Sequence, residues 1–246
     1  MQWADEGIVL ATRAHGERAL IVQLLTREHG RHAGLLRGGQ STKTRAAWQI
    51  GNRMSATWRA RLAEHLGFFT GEILESHAAK LLDDRLRLGA LAAAAALAVA
   101  ALPEREPHPR AYRGLLDLIA ALEADERWAL AYVEWEMTLL AELGFGLDLS
   151  SCAATGSTDE LVYVSPRSGQ AVSAEAGAPY REKLLKLPAF LRGENERPAP
   201  HDMLDGLRLA GFFLEQRVFA PHQHKLPAAR SRYVDAITRA FAIPEA

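Results

Sequence analysis

Two hydrophobic rhythms divide the chain. Up to about residue 75 the apolar positions come in short runs separated by turn residues, as in strands. Residues 7–12 are apolar and β-leaning. Residues 19–26 (ALIVQLLT) form a strong strand candidate, followed by the turn pair His29-Gly30. Residues 31–36 end at the breaker Gly38-Gly39. Residues 52–61 alternate, with Met54, Ala56 and Trp58 on one face and Arg53, Ser55, Thr57, Arg59 and Arg61 on the other. That is the period of a half-buried strand. Residues 68–74 supply a fifth run, and five short strands at close spacing predict a small barrel.

From Ser76 onward the rhythm is helical. Ser76 is the expected N-cap of a long helix rich in alanine and leucine that runs to Leu102. A loop with three prolines covers 103–109. Helices then fit 110–124 and 125–143, the second ending at Gly144 and Gly146. Residues 149–172 are rich in Ser, Thr and Gly, with one strand-like run at 161–164, which reads as a small β-ribbon between helices. Three more helices fit 178–192, 200–219 and 227–241. The expected fold is α+β in two domains, 1–76 and 77–246, with a ribbon insertion near 150–173.

Charge sharpens this division. The chain of 246 residues has a net charge of -1, yet its basic residues are unevenly spread. Between His29 and Ala63 stand Arg31, Arg37, Lys43, Arg45, Arg53, Arg59 and Arg61, with no Asp or Glu among them. Such a stretch suits an anionic ligand. Arg53, Arg59 and Arg61, with Trp48 and Trp58 nearby, fit a single-strand site that combines a cationic groove with stacking rings. The alternation places Trp58 opposite the arginines, on the core side. A single cysteine, Cys152, excludes an internal disulfide. The polar, acidic start carries no signal-peptide pattern, and the apolar run 86–102 is short and alanine-rich for a membrane span, so a cytoplasmic protein without membrane contact is expected.

Other candidate chemistry is weaker. Residues 34–41 (GLLRGGQS) nearly match the phosphate-cradling loop G-x-x-x-x-G-K-[ST], but Gln40 replaces the lysine that would reach the phosphates, and the following STKTR is a poor helix start. A basic loop between strands, whose amides with Lys43 and Arg45 could touch DNA phosphates, fits better. His222 and His224, with His201-Asp202, lack the further ligands a metal needs. Cys152 has no local base to make it a nucleophile. Trp128, Tyr132 and Trp135 fall on one helical stripe, which is core packing or, alternatively, a groove for a partner's apolar peptide.

Taken in order, several stretches resemble the RecO family of recombination mediators. They are 6–10 (EGIVL), the basic loop 37–43 (RGGQSTK), Gly51-Asn52 leading to 58–61 (WRAR), Leu66-Gly67 and Glu72. Then come 139–149 (LLAELGFGLDL), 152–156 (CAATG), 163–169 (YVSPRSG) and 225–232 (KLPAARSR). The resemblance implies an N-terminal OB-fold, a helical domain and a zinc-ribbon-like insertion. Many members carry four cysteines in that ribbon. Here only Cys152 remains and Thr155 stands at its C-x-x-C partner position, so no zinc or other cofactor is expected. The implied role is non-enzymatic: binding single- and double-stranded DNA, annealing strands, and working with RecR to load RecA onto strands coated by single-strand-binding protein (SSB). The resemblance also implies a grip on the acidic, phenylalanine-ended SSB tail. Candidates for it are Arg127, Tyr132, Phe213, Arg217, Lys225 and Arg230. A nucleotide-using enzyme with a degenerate phosphate loop and a structural adaptor that never touches DNA are the alternatives.

Overall fold

The computed structural model describes residues 1–62, 64–124, 126–193 and 199–241. Ala63, at the end of the basic stretch, and Asp125, the expected start of a helix, lie outside the described residues. The chain forms two compact units, one of residues 1–128 and 227–233, the other of 129–226 and 234–246.

In the first unit five strands close a barrel in the order β1-β2-β3-β5-β4: β1 (Gln2–His15), β2 (Ala19–Thr26), β3 (Gly30–Arg37), β4 (Arg53–Arg59) and β5 (Phe68–Glu75). A short helix, α1 (Thr42–Ala47), joins β3 to β4. This order, with β3 and β5 parallel and all other pairs antiparallel, is the OB-fold. The expected strands are present, but β1 is much longer than 7–12. Its first half pairs with β4 (Gln2↔Arg59 to Ile8↔Arg53) and its second with β2 (Gly7↔Thr26 to His15↔Ala19), with a bulge between Val9 and Ala11 that lets it serve both. The polar opening residues are strand because tertiary pairing recruits them. The predicted alternation in β4 holds: Met54, Ala56 and Trp58 enter the core with Val9, Val22, Leu24 and Phe69.

The long alanine- and leucine-rich helix forms, but it starts well after Ser76. Asn52 is buried, and its carboxamide oxygen accepts the backbone N–H of both His77 (2.9 Å) and Ala78 (3.0 Å). Its Nδ2 donates to the carbonyls of Ala46 and Ala47. Asn52 thus caps the 3₁₀ turn Ala78–Leu81, and the extended backbone of Asp84 separates this turn from the helix that follows. Helix α2 (Arg85–Ala101) starts later, with Asp84 accepting from Leu86 and Arg87 N–H at 3.0 Å each. Helix α3 (Pro109–Ala124) completes this part, and α4 (Trp128–Glu142) begins at the unit's edge.

The second unit holds most of α4 and a three-stranded sheet ordered β7-β6-β8, made of β6 (Leu161–Val164), β7 (Ala171–Ser173) and β8 (Leu185–Lys186). The helix expected over 178–192 is not formed. After α5 (Ala174–Gly177) comes a 3₁₀ turn, then β8, then another 3₁₀ turn. Pairing of Tyr163 with Lys186 and Val164 with Leu185 draws this segment into the sheet, and Pro188 has no N–H for a helix. Helix α6 (Pro200–Phe213) passes into a π-helical turn, Leu214–Phe219, rather than continuing as regular helix. Helix α7 (Ala228–Phe241) follows. No helix among the described residues is long and apolar enough to cross a membrane.

Candidate nucleic-acid interface

The fold divides the seven basic residues of the acid-free stretch into two groups. Arg31 is held inside the structure. Its Nε donates to the Leu102 carbonyl at 2.8 Å, and its Nη1 to Gln23 Oε1 at 2.6 Å and Glu104 Oε1 at 3.1 Å. Arg53 is paired with Glu75 at 2.8 Å and Glu6 at 3.5 Å. Acids absent from the stretch in sequence are therefore supplied to it in space by β1, β5 and the segment after α2. Arg37, Lys43, Arg45, Arg59 and Arg61 remain exposed.

Arg37 and Arg59 meet at a groove of about 500 Å³ on the barrel, where β3, α1, β4 and β5 converge. The barrel's weakest seam runs here: β3 and β5 pair only through Leu35↔Phe68 and Leu36↔Phe69. The N–H of Leu35 donates to the Gly67 carbonyl at 3.0 Å, which fixes the start of β5 beside β3. Gly67 turns the chain there with φ +64, and its Cα lies so close to the Trp58 ring that a Cβ would stand 2.5 Å from it. The Arg37 guanidinium covers the Phe68 ring at 4.2 Å from its centre. Across the strand pair, Arg59 faces Phe68 in register and is oriented by two hydrogen bonds to Gln2 Oε1, at 3.0 and 2.7 Å. Thr57 and Thr70 line the same groove, and among the described residues no acid does.

Sequence reasoning missed Phe68. The signal was available: Phe68 and Phe69 are neighbours in a strand, so one must face out. Phe69 is 1% exposed in the core and Phe68 is 39% exposed. Arg45 lines a second groove of about 670 Å³ beside α1, Lys43 projects from α1, and Arg61 lies just past β4.

The near-match to a phosphate loop does other work. Gly34 is inside β3, where a Cβ would stand 2.5 Å from the Phe69 ring. Ser41 N–H donates to the Gly38 carbonyl, and the Ser41 hydroxyl accepts from Thr44 N–H. Contrary to the expectation for STKTR, Ser41 caps α1 and a helix does begin, but it is six residues long and these two amides are already spent within the turn.

The barrel also buries His32, 4% exposed, between the rings of Trp3 (5.0 Å) and Trp58 (4.6 Å). Among the described residues neither ring nitrogen has a hydrogen-bond partner, and burial, aided by nearby Arg105, pushes its pKa down to about 4.

The six residues suggested for the SSB tail divide between the units: Arg127 and Arg230 in the first, Tyr132, Phe213, Arg217 and Lys225 in the second. Tyr132, Phe213 and Arg230 are buried, while Arg127 and Lys225 are exposed. Phe213 is 1% exposed and packs against Phe212 and close to Gly169. Arg217 Nη2 donates to the Arg167 carbonyl at 2.6 Å. Trp128, Tyr132 and Trp135 are all buried, which is the core-packing reading of their stripe.

In the ribbon, the hydroxyls of Ser173 and Thr155 and the backbone N–H of Ser173 surround the buried Cys152 sulfur and hold its thiol below the ordinary cysteine range. One thiol and two hydroxyls are not the soft donor set that structural zinc requires. Among the described residues no three His, Cys, Asp or Glu side chains gather as metal ligands.

An OB barrel with an acid-free, arginine- and phenylalanine-lined groove belongs to the class of folds that bind nucleic-acid strands. Comparison with known proteins makes this specific. Residues 1–77 match the family described as Recombination protein O N terminal, and 82–226 match Recombination protein O C terminal. "DNA repair protein RecO" of Rhodospirillum rubrum is 54% identical over 245 residues, covering 97% of each chain. The protein of that name from Rhodospirillum centenum is 53% identical over 242 residues, 98% of this chain and 96% of its own. That from Mesorhizobium japonicum is 47% identical over 247 residues, 100% and 97% respectively. The chain belongs to the RecO family of DNA repair proteins.

Proposed function

We propose that this protein is a recombination mediator that binds single- and double-stranded DNA, anneals complementary strands, and with RecR helps load RecA onto SSB-coated strands. The observation that carries this reading is the groove between Arg37 and Arg59, cationic and free of acids among its described lining residues, on the barrel of a RecO-family chain. Phosphate-dominated binding is blind to sequence, as a general repair factor requires. Annealing needs charge neutralisation and strand proximity and no covalent step, so no catalytic residues are assigned. The SSB tail is a further proposed partner. It is supported by family membership, with the exposed Lys225 a candidate to meet its acidic residues.

Mobility shift at varied salt tests the central claim. Affinity for both DNA forms should fall steeply from low to moderate salt, and the double variant Arg59→Glu/Arg61→Glu should weaken binding to all sequences alike, by about tenfold or more. Unchanged affinity in a folded double variant would remove the groove from the account. Titration calorimetry with an SSB-tail peptide should give roughly micromolar affinity, about -8 kcal/mol, lost when the terminal phenylalanine is deleted.

A further inference from the structure

The groove contains more than a row of cations, and its other components point to one type of ligand. Phe68 is a large aromatic side chain left on the outer face of a strand whose next residue, Phe69, is buried. Leaving such a ring partly exposed forgoes the stabilisation that full burial would give. The ring is fixed rather than loose. The Leu35–Gly67 hydrogen bond anchors its backbone, Arg37 lies on it at 4.2 Å, and Arg59 stands in register across the strand pair with its guanidinium pinned to Gln2. Beside the ring the floor is nearly bare. Gly71 lies so close to β4 that a Cβ would stand 2.3 Å from the Ser55 carbonyl oxygen, and Thr57 and Thr70 form a register pair next to Phe68 and Arg59.

We propose that the Phe68 ring, with the Arg37 guanidinium, is a stacking platform for one unpaired nucleobase, and that it is this contact that distinguishes single strands from duplex at the groove. This rests on the DNA-binding function proposed above and deepens it. Stacking needs a free base face. In a duplex both faces of each base are covered by neighbours, so a protein meets phosphates, sugars and base edges but no free base face. An unpaired base can turn into a groove of about 500 Å³, a size suited to a ligand of nucleotide dimensions. The guanidinium lies over one face of the ring, so on that side a base stacks on the guanidinium plane with Phe68 beneath it. The hydroxyls of Thr57 and Thr70 accept and donate, so they meet the polar edge of any base without selecting one. Arg59, across the groove, is placed for the adjoining phosphate. The arrangement reads strandedness and not sequence.

Three variants and one altered ligand test this with the full-length protein. Phe68→Ala and Phe68→Leu should each lower affinity for an oligothymidine strand by about tenfold. Both should leave duplex affinity within about twofold. The leucine variant keeps the apolar cover but has no π face, so it serves if the alanine variant folds poorly. Phe68→Trp should bind the strand as well as the wild type and show fluorescence quenching, beyond that of the wild type, on adding the strand but not on adding duplex. A strand of abasic sites should bind the wild type only as tightly as oligothymidine binds Phe68→Ala. Equal loss on strand and duplex, or no loss on either, overturns the platform and leaves the DNA-binding function intact. A wild type that binds neither form of DNA overturns both.

Discussion

Two stretches of this chain look alike on paper, the acid-free run 29–63 and the segment 200–232. Each places several cations near aromatic side chains. In the structure they differ sharply. In the barrel, strand geometry sends alternate residues to opposite faces, so Trp58 goes inward and Arg59 outward, Phe69 inward and Phe68 outward. The run's own rings, Trp48 and Trp58, are buried while its cations stay on the surface, where Phe68, from the strand after the run, joins them. In α6 and the π turn after it, the phenylalanines Phe213 and Phe219 serve the core, and Arg217 turns to the Arg167 carbonyl. A binding surface therefore depends on what the rest of the fold does with each side chain, more than on composition.

The comparison can be broken at its buried side first. Phe213→Ala should destabilise the protein by about 3–5 kcal/mol in chemical denaturation, the usual range for a core phenylalanine. A loss under 1 kcal/mol, together with weaker binding of an SSB-tail peptide, would restore Phe213 as a ligand contact.

Within the basic run itself, Arg31 and Arg59 should part company. Arg31→Ala leaves the Leu102 carbonyl and Gln23 without their charged partner, for a stability loss of roughly 2–3 kcal/mol, while DNA affinity of the folded variant stays near the wild type. Arg59→Ala should do the reverse. If Arg31→Ala proved fully stable but defective in DNA binding, the division of the run into structural and open cations would be mistaken.

His32 gives the barrel a pH dependence. Its folded pKa, about 4, lies below the ordinary 6.5, so the unfolded chain takes up a proton that the folded one refuses. The stabilising contribution is fully present above about pH 6.5 and is lost as pH falls toward 4, by about 2 kcal/mol between pH 7 and pH 5. In that window the stability difference between the wild type and His32→Leu, from denaturation curves followed by tryptophan fluorescence, should move by about 2 kcal/mol against the wild type; a constant difference would mean that His32 is not held neutral. The smallest effect belongs to Lys43. Lys43→Ala should leave stability within about 0.5 kcal/mol and lower the salt dependence of DNA binding by roughly one counterion, readable from the slope of log affinity against log salt.

The sequence by itself determined the strands of the barrel, the inward face of β4, the run of basic residues and, through its resemblance, the family. These are local matters: side-chain period two, turn residues between strands, and charge spacing all act within a few positions. Only the tertiary structure decided that residues 2–6 extend β1, that Asn52 ties down the chain at His77 and Ala78 in a 3₁₀ turn before α2 starts at Arg85, and that β6 draws Leu185 and Lys186 out of an expected helix. Only it decided which arginines are open, because Glu6, Glu75 and Glu104 reach Arg53 and Arg31 from positions 22 to 73 residues away. Charge pairing and strand pairing depend on distance in space, and a chain of this length brings distant residues together through contacts that local pattern does not encode.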